Sequence, residues 1–328
     1  VFIFSFPVIV DDIGNAPLFA RCASPIVIIT YMITDTHIHG IGGFDTRSSD
    51  PGHILRVADI EGSDGVEEII LTVYPATIKV MRETLAVIRR AMELQPSGVA
   101  AARSCYPGAA NGPARIAGVH LEGPFLNPSM CGSLNAMVLI SPDERNFDAL
   151  VEGYEDMIRI MTVAPELDGA ARIIRKASDM GIITNMGHSD ATFSEAGAGH
   201  KAGARGITHL FNAMRPYHHR EPGIAGYGLL NPDIYVEVIA DPFHLHPATL
   251  ELIFRTKKHD RIIIVSDSVK ETPKPESLSV CEGVTDSHGR LLGGAVTVTR
   301  AVRNLSERFD AAMLARCISD NPAGYLAI

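Results

Sequence analysis

Short apolar, β-branched runs alternate with amphipathic stretches along most of the chain. Strand-like runs fall at 25–33, ending near Asp35, and at 67–74, 115–122, 157–164, 181–187, 203–209, 234–240 and 261–267. Apolar residues three or four apart predict helices at 51–61, 77–94, 169–179, 194–202 and 247–256, since a helix face recurs about every 3.6 residues and a strand face every second one. Strands separated by helical crossovers imply parallel pairing. Eight such runs fit a closed (β/α)8 barrel better than an open doubly wound sheet. No glycine-rich phosphate loop follows the first strand, which also counts against a dinucleotide fold.

The two ends read differently. Residues 1–24 and 276–298 carry short β-like pieces and turn signals such as Ser287-His288-Gly289, and are expected to form a small accessory β layer beside a barrel spanning 25–320. The apolar stretch 1–10 reads as a buried strand of that layer: it is too short to span a bilayer and lacks the basic flank and cleavage pattern of a signal peptide. Residues 96–113, rich in Gly, Ala and Pro, read as a surface loop. Helical patterns return at 302–309 and 311–319. The chain stops soon after Asp320-Asn321-Pro322 with no further strand, so 321–328 is expected to be a truncated C-terminal segment.

Composition adds limits to this outline. The 328 residues accommodate one α/β barrel of roughly 250 residues plus an accessory layer. With 46% hydrophobic and 20% charged residues, the chain has the make-up of a soluble globular protein. Its 29 basic against 38 acidic side chains give a formal charge of −9, which predicts neither a nucleic-acid nor a membrane partner. The five cysteines, Cys22, Cys105, Cys131, Cys281 and Cys317, have no short paired spacing. That argues against a disulfide framework and a thiolate zinc site, and favours a reducing, cytoplasmic setting.

Candidate chemistry gathers at the carboxyl ends of the predicted strands. His37 and His39 in Asp35-Thr36-His37-Ile38-His39-Gly40 stand two apart, so in a strand both imidazoles reach the same side. Glu122 ends the third strand, His188 follows the fifth, His209 ends the sixth and Asp267 ends the eighth. In a (β/α)8 barrel that face carries the active site, so these residues converge. Imidazole with carboxylate suits a divalent cation, zinc ahead of iron, manganese or cobalt. The adjacent His218 and His219, and His246 before Pro247, are not expected to be ligands.

The blocks Asp35-Thr36-His37-Ile38-His39-Gly40, His120-Leu121-Glu122-Gly123-Pro124-Phe125, Gly187-His188-Ser189-Asp190-Ala191, Thr208-His209-Leu210-Phe211-Asn212-Ala213-Met214 and Arg220-Glu221-Pro222-Gly223 resemble the N-acetylglucosamine-6-phosphate deacetylase family of the amidohydrolase superfamily. The resemblance runs from about Asp35 to Pro322. It implies that Glu122, His188 and His209 hold the principal divalent metal, with His37 and His39 available for a second. It also implies that Asp267 is the catalytic carboxylate, that His244 contacts substrate, and that Asn212 and Ala213 contact its phosphate. Arg220 matches an arginine that reaches the sugar phosphate of a neighbouring subunit, which implies a homodimer. The expected reaction removes acetyl from N-acetylglucosamine 6-phosphate, with the galactosamine epimer as the nearest alternative. Departures from the family pattern at Leu134, for a substrate-binding histidine, at Pro242, for glycine, and at Gly294, for serine, bear on sugar recognition. Two rivals stay open. A deaminase or cyclic amidase of the superfamily needs neither Arg220 nor Asn212, and a non-catalytic binding barrel has no use for Asp267 as a proton shuttle.

Overall fold

The barrel strands pair in parallel in the order of the chain: β1 (Thr34–Ile38), β2 (Glu68–Val73), β3 (Arg115–Glu122), β4 (Ile158–Val163), β5 (Ile183–Met186), β6 (Gly206–Ile207), β7 (Tyr235–Ile239) and β8 (Ile262–Val265). The computed structural model describes residues 32–95, 112–275 and 282–327. Each strand is followed by a helix: α1 (Pro51–Ser63), α2 (Ile78–Leu94), α3 (Glu144–Val151), α4 (Ala170–Asp179), α5 (Phe193–Ala202), α6 (Gly223–Leu230), α7 (Pro247–Thr256) and α8 (Val298–Leu305). This is the (β/α)8 barrel expected from the alternation of patterns. Two further helices, α9 (Ala311–Cys317) and α10 (Asp320–Leu326), follow.

The sheet closes at the carboxyl end. The Asp267 N–H donates to the His37 carbonyl at 2.9 Å, and the N–H groups of His39 and Gly40 donate to the Ser268 carbonyl at 2.9 and 3.0 Å. At the opposite end Tyr325 of α10 is fully buried among the inward-facing Ile70, Ile160, Ile183, Tyr235 and Ile263. A larger apolar layer lies between strands and helices, with Met81, Leu85 and Ile88 of α2 supplying its buried stripe. Thr77 caps α2 through its hydroxyl and Thr192 forms a capping box with Glu195 on α5, which fixes where those helices start.

Several sequence expectations need adjustment. The first barrel strand is the Thr34–Ile38 motif itself, while residues 25–31, like 1–24 and 96–111, fall outside the described residues. Helices α3 and α6 were not anticipated: α3 spans only eight residues, and seven of the eight residues of α6 are buried, leaving no polar face to create a period. β6 contains only two residues, because the backbone turns into left-handed conformations at His209, Phe211 and Ala213. In the accessory region Val284–Thr285 pairs antiparallel with Leu291–Gly293, and Gly40–Ile41 pairs with Phe44–Asp45. The segment expected to be a truncated tail contains most of α10.

Gly294 is explained by close backbone approach. A Cβ there would collide with the Ser266 carbonyl oxygen, and the Gly294 N–H donates to the Asp267 carbonyl at 2.7 Å. The missing side chain therefore serves the packing behind Asp267.

Glu61 on α1 is fully buried, and among the described residues neither carboxylate oxygen has a hydrogen-bond partner. Burial, reinforced by Asp35 and Asp64, pushes its pKa well above the ordinary carboxylate range; burial also pushes Asp35 up to about 6. A carboxyl that binds its proton more tightly folded than unfolded loses stability as pH rises from its unfolded value of 4.5 through its folded one. Glu61→Gln should therefore flatten the decline of Tm as pH rises above about 4.5 and raise Tm at the alkaline end, as read by thermal unfolding.

Candidate metal centre

Glu122, the last residue of β3, is the hub of a buried cluster. Its Oε1 lies 3.0 Å from His188 Nε2, 3.2 Å from His209 Nε2 and 3.5 Å from His37 Nε2, and its Oε2 lies 3.2 Å from His39 Nε2. Asp267 Oδ1 faces the same pair from the other side, 3.4 Å from His37 Nε2 and 3.5 Å from His39 Nε2. The Nε2 atoms of His188 and His209 are 3.0 Å apart. Among the described residues two donor groups overlap at Glu122, Glu122/His188/His209 and His37/His39/Glu122, and a third, His37/His120/Glu237, shares His37.

Local backbone geometry aims these side chains. His188, His209 and Asp267 all have positive φ, at 46°, 31° and 48°, a conformation costing roughly 1–3 kcal/mol per non-glycine residue. The surrounding bonds hold it. His188 Nδ1 donates to the Met130 carbonyl at 2.9 Å, which leaves its Nε2 lone pair directed at Glu122. Glu166 braces the same loop, accepting from Asn127 Nδ2, the Asp190 N–H and Ser189 Oγ. The His39 ring stacks on Tyr74 at 3.8 Å.

The electrostatics suit a cation. Burial opposes ionisation of Glu122, yet His188, His209 and His37 hold its carboxyl well below the ordinary range. Burial likewise opposes a charged His37, but Asp267, Glu122 and Glu237 raise its pKa well above that of a free imidazole. Among the described residues His37 Nε2 is buried without a hydrogen-bond partner. Several imidazole nitrogens crowding two carboxylates form a donor set that fits a divalent cation.

The remaining sequence candidates lie around this centre in different settings. His244 donates from Nδ1 to Asp241 Oδ2 at 2.9 Å, while the Asp241 carboxylate also accepts from the His244 and Ala295 backbones. Burial alone would lower the His244 pKa, but Asp241 and Asp267 raise it. Ala213 sits in the left-handed loop after His209, and its Cβ and the His188 ring both lie beside Gly132. Asn212 Nδ2 is within 3.3 Å of the His209 carbonyl and 3.4 Å of that of Leu210. Arg220 is exposed with its guanidinium beside His219; Glu221 accepts instead from the Phe193 and Gly223 N–H groups. His246 caps α7 by accepting from the Ala248 N–H.

Four supporting side chains went unnoticed in the sequence. Glu237, His120, Asp241 and Glu166 each contact a residue of the cluster, its supporting loop or His244. A glutamate inside the apolar run Tyr235–Ile239, and a histidine two positions before Glu122 on the same strand face, were the available signals.

A parallel eight-stranded barrel with such a cluster at its carboxyl end defines an amidohydrolase-type enzyme. No protein-family model matches the chain. It is 31% identical over 313 residues to an N-acetylglucosamine-6-phosphate deacetylase of Bacillus subtilis, covering 92% of this chain and 76% of the relative. It is 30% identical over 282 residues to an N-acetylgalactosamine-6-phosphate deacetylase of Escherichia coli O157:H7, covering 83% and 71%. Among solved structures, N-acetylglucosamine-6-phosphate deacetylase from Thermotoga maritima superposes with a TM-score of 0.76 at 27% identity, covering 90% of this chain and 78% of that one. The chain belongs to the N-acetylglucosamine-6-phosphate deacetylase family.

Glu122→Gln removes the one charge shared by the two donor groups that overlap there. Cation affinity, measured by dialysis and elemental analysis, should fall further than the roughly 10- to 100-fold typical for loss of a supporting residue.

Proposed function

We propose that the chain hydrolyses the acetamide of N-acetylglucosamine 6-phosphate, giving glucosamine 6-phosphate and acetate. The observation that carries this reading is the convergence of Glu122, His188, His209, His37, His39 and Asp267 at one end of the barrel in a member of this family. Glu122, His188 and His209 would hold the principal divalent cation, zinc by the chemistry of its donors, with His37 and His39 serving a second. A cation bound there polarises the amide carbonyl and acidifies water. Asp267, the least buried carboxylate of the cluster, accepts the proton of the attacking water and returns it to the leaving amine. His244, oriented by Asp241, donates to the carbonyl oxygen as negative charge builds there.

Asn212, Ala213 and Arg220 are assigned to the sugar phosphate, with Arg220 free of its neighbour Glu221 and suited by its planar guanidinium to bind an anion. A homodimer in which Arg220 serves the adjoining subunit and a cytoplasmic setting complete the proposal. No helix among the described residues is long and apolar enough to cross a membrane. The galactosamine epimer is the second reading, favoured by the relative that carries that name.

Acetate release from both phosphosugar epimers and from unphosphorylated N-acetylglucosamine, after reconstitution with zinc, manganese or iron, tests the reading. Release confined to a phosphosugar supports it, and turnover only of other amides overturns it. Asp267→Asn should keep its bound cation and lose about 10²- to 10⁴-fold in turnover; unchanged turnover would remove Asp267 from its role.

A further inference from the structure

A continuous hydrogen-bonded chain crosses the barrel interior from its amino-terminal plug to the candidate metal centre. Tyr325 Oη of α10 donates to Asn185 Oδ1 on β5. Asn185 Nδ2 donates to Glu237 Oε1 on β7 at 3.1 Å, and Glu237 Oε2 lies 3.1 Å from His37 Nδ1 on β1. All four side chains are buried. A Cβ at Gly206 would strike both Asn185 Oδ1 and Tyr325 Oη, so the glycine on β6 leaves room for the link.

The order of donors and acceptors along this chain has a single consistent solution. The Asn185 NH2 can only donate, and with both carboxylate oxygens accepting, Glu237 takes one proton from the Asn185 amide and one from His37. The Asn185 oxygen must then face Tyr325. His37 consequently carries a proton on Nδ1, and its other nitrogen, Nε2, is the one presented to Glu122 and Asp267. We propose that Glu237 is a positioning residue that selects the His37 tautomer competent to bind a cation, and that Asn185, backed by Tyr325, holds the Glu237 carboxylate in place for that role. The inference rests on the reading of His37 as a ligand of the second cation.

The polarity makes a distinctive test possible. In Glu237→Gln the side chain can turn either its carbonyl oxygen or its NH2 toward His37 Nδ1, because the Tyr325 hydroxyl can accept from a reversed Asn185 amide as well as donate to it, so the proton on Nδ1 is no longer enforced. Zinc titration of the metal-stripped protein, followed by dialysis and elemental analysis, should show the second ion bound about 10- to 100-fold more weakly and the first ion unchanged. Adding Asn185→Asp restores the constraint. The carboxylate introduced at position 185 accepts from Tyr325 and from the Gln amide, whose carbonyl oxygen then returns to His37, and second-ion affinity should recover.

Full second-ion affinity in Glu237→Gln, or no recovery in the double variant, overturns the inference. So does a ¹⁵N-histidine spectrum of the zinc-loaded wild-type protein with the His37 proton on Nε2, a readout that needs neither Glu237 nor Asn185 variant to fold; the signal is assigned by its loss in His37→Ala. The underlying reading fails separately. If His37→Ala binds two zinc ions as tightly as wild type, His37 is not a ligand and the tautomer has no cation to serve.

Discussion

Closure of the barrel at the carboxyl end depends on the backbone hydrogen bond from Asp267 to the carbonyl of His37. With the neighbouring bonds to the Ser268 carbonyl, it joins the first strand to the segment that follows the last and brings His37 to within reach of the Asp267 carboxylate. Because β1 and β8 are separated by most of the chain, this juxtaposition exists only after every intervening β/α unit is in place. The donors of β1 and the Asp267 carboxylate are therefore brought together by the same closure, and the neighbouring contacts of Ser268 and Gly294 support it.

Strain collects at the same rim. His188, His209 and Asp267 leave their strands in left-handed conformations, which projects their side chains over the barrel mouth instead of outward to the helices. The compensation is local: Met130 and Glu166 fix the first loop, backbone pairing with Glu237 fixes the second, and Gly294 fixes the third. Rigid strands supply direction, and these loops supply the last change of angle that lets separate imidazoles and carboxylates share one small volume.

Much of this was legible in the amino-acid sequence because the barrel writes its period plainly. Glu122, His188, His209 and Asp267 each stand where an apolar run gives way to polar residues, so position alone linked them. The α6 helix was invisible because its near-complete burial erases amphipathicity. Glu237 was missed for a related reason: an inward-facing carboxylate interrupts a strand without altering its period, and its partners Asn185 and Tyr325 lie in distant elements. The Leu134 loop and the exposed Arg220 loop carry sugar-facing expectations that spacing could not resolve, since neither belongs to a repeating element.

The Tyr325 contact also bears on the order in which the chain matures. Asn185 emerges during synthesis long before Tyr325, so its carbonyl waits for a partner until α10 has been made. The interior polar chain thus ties a strand made early to a helix made late. Before α10 docks, the apolar residues around Tyr325 and the Asn185 oxygen lack the cover that this helix provides.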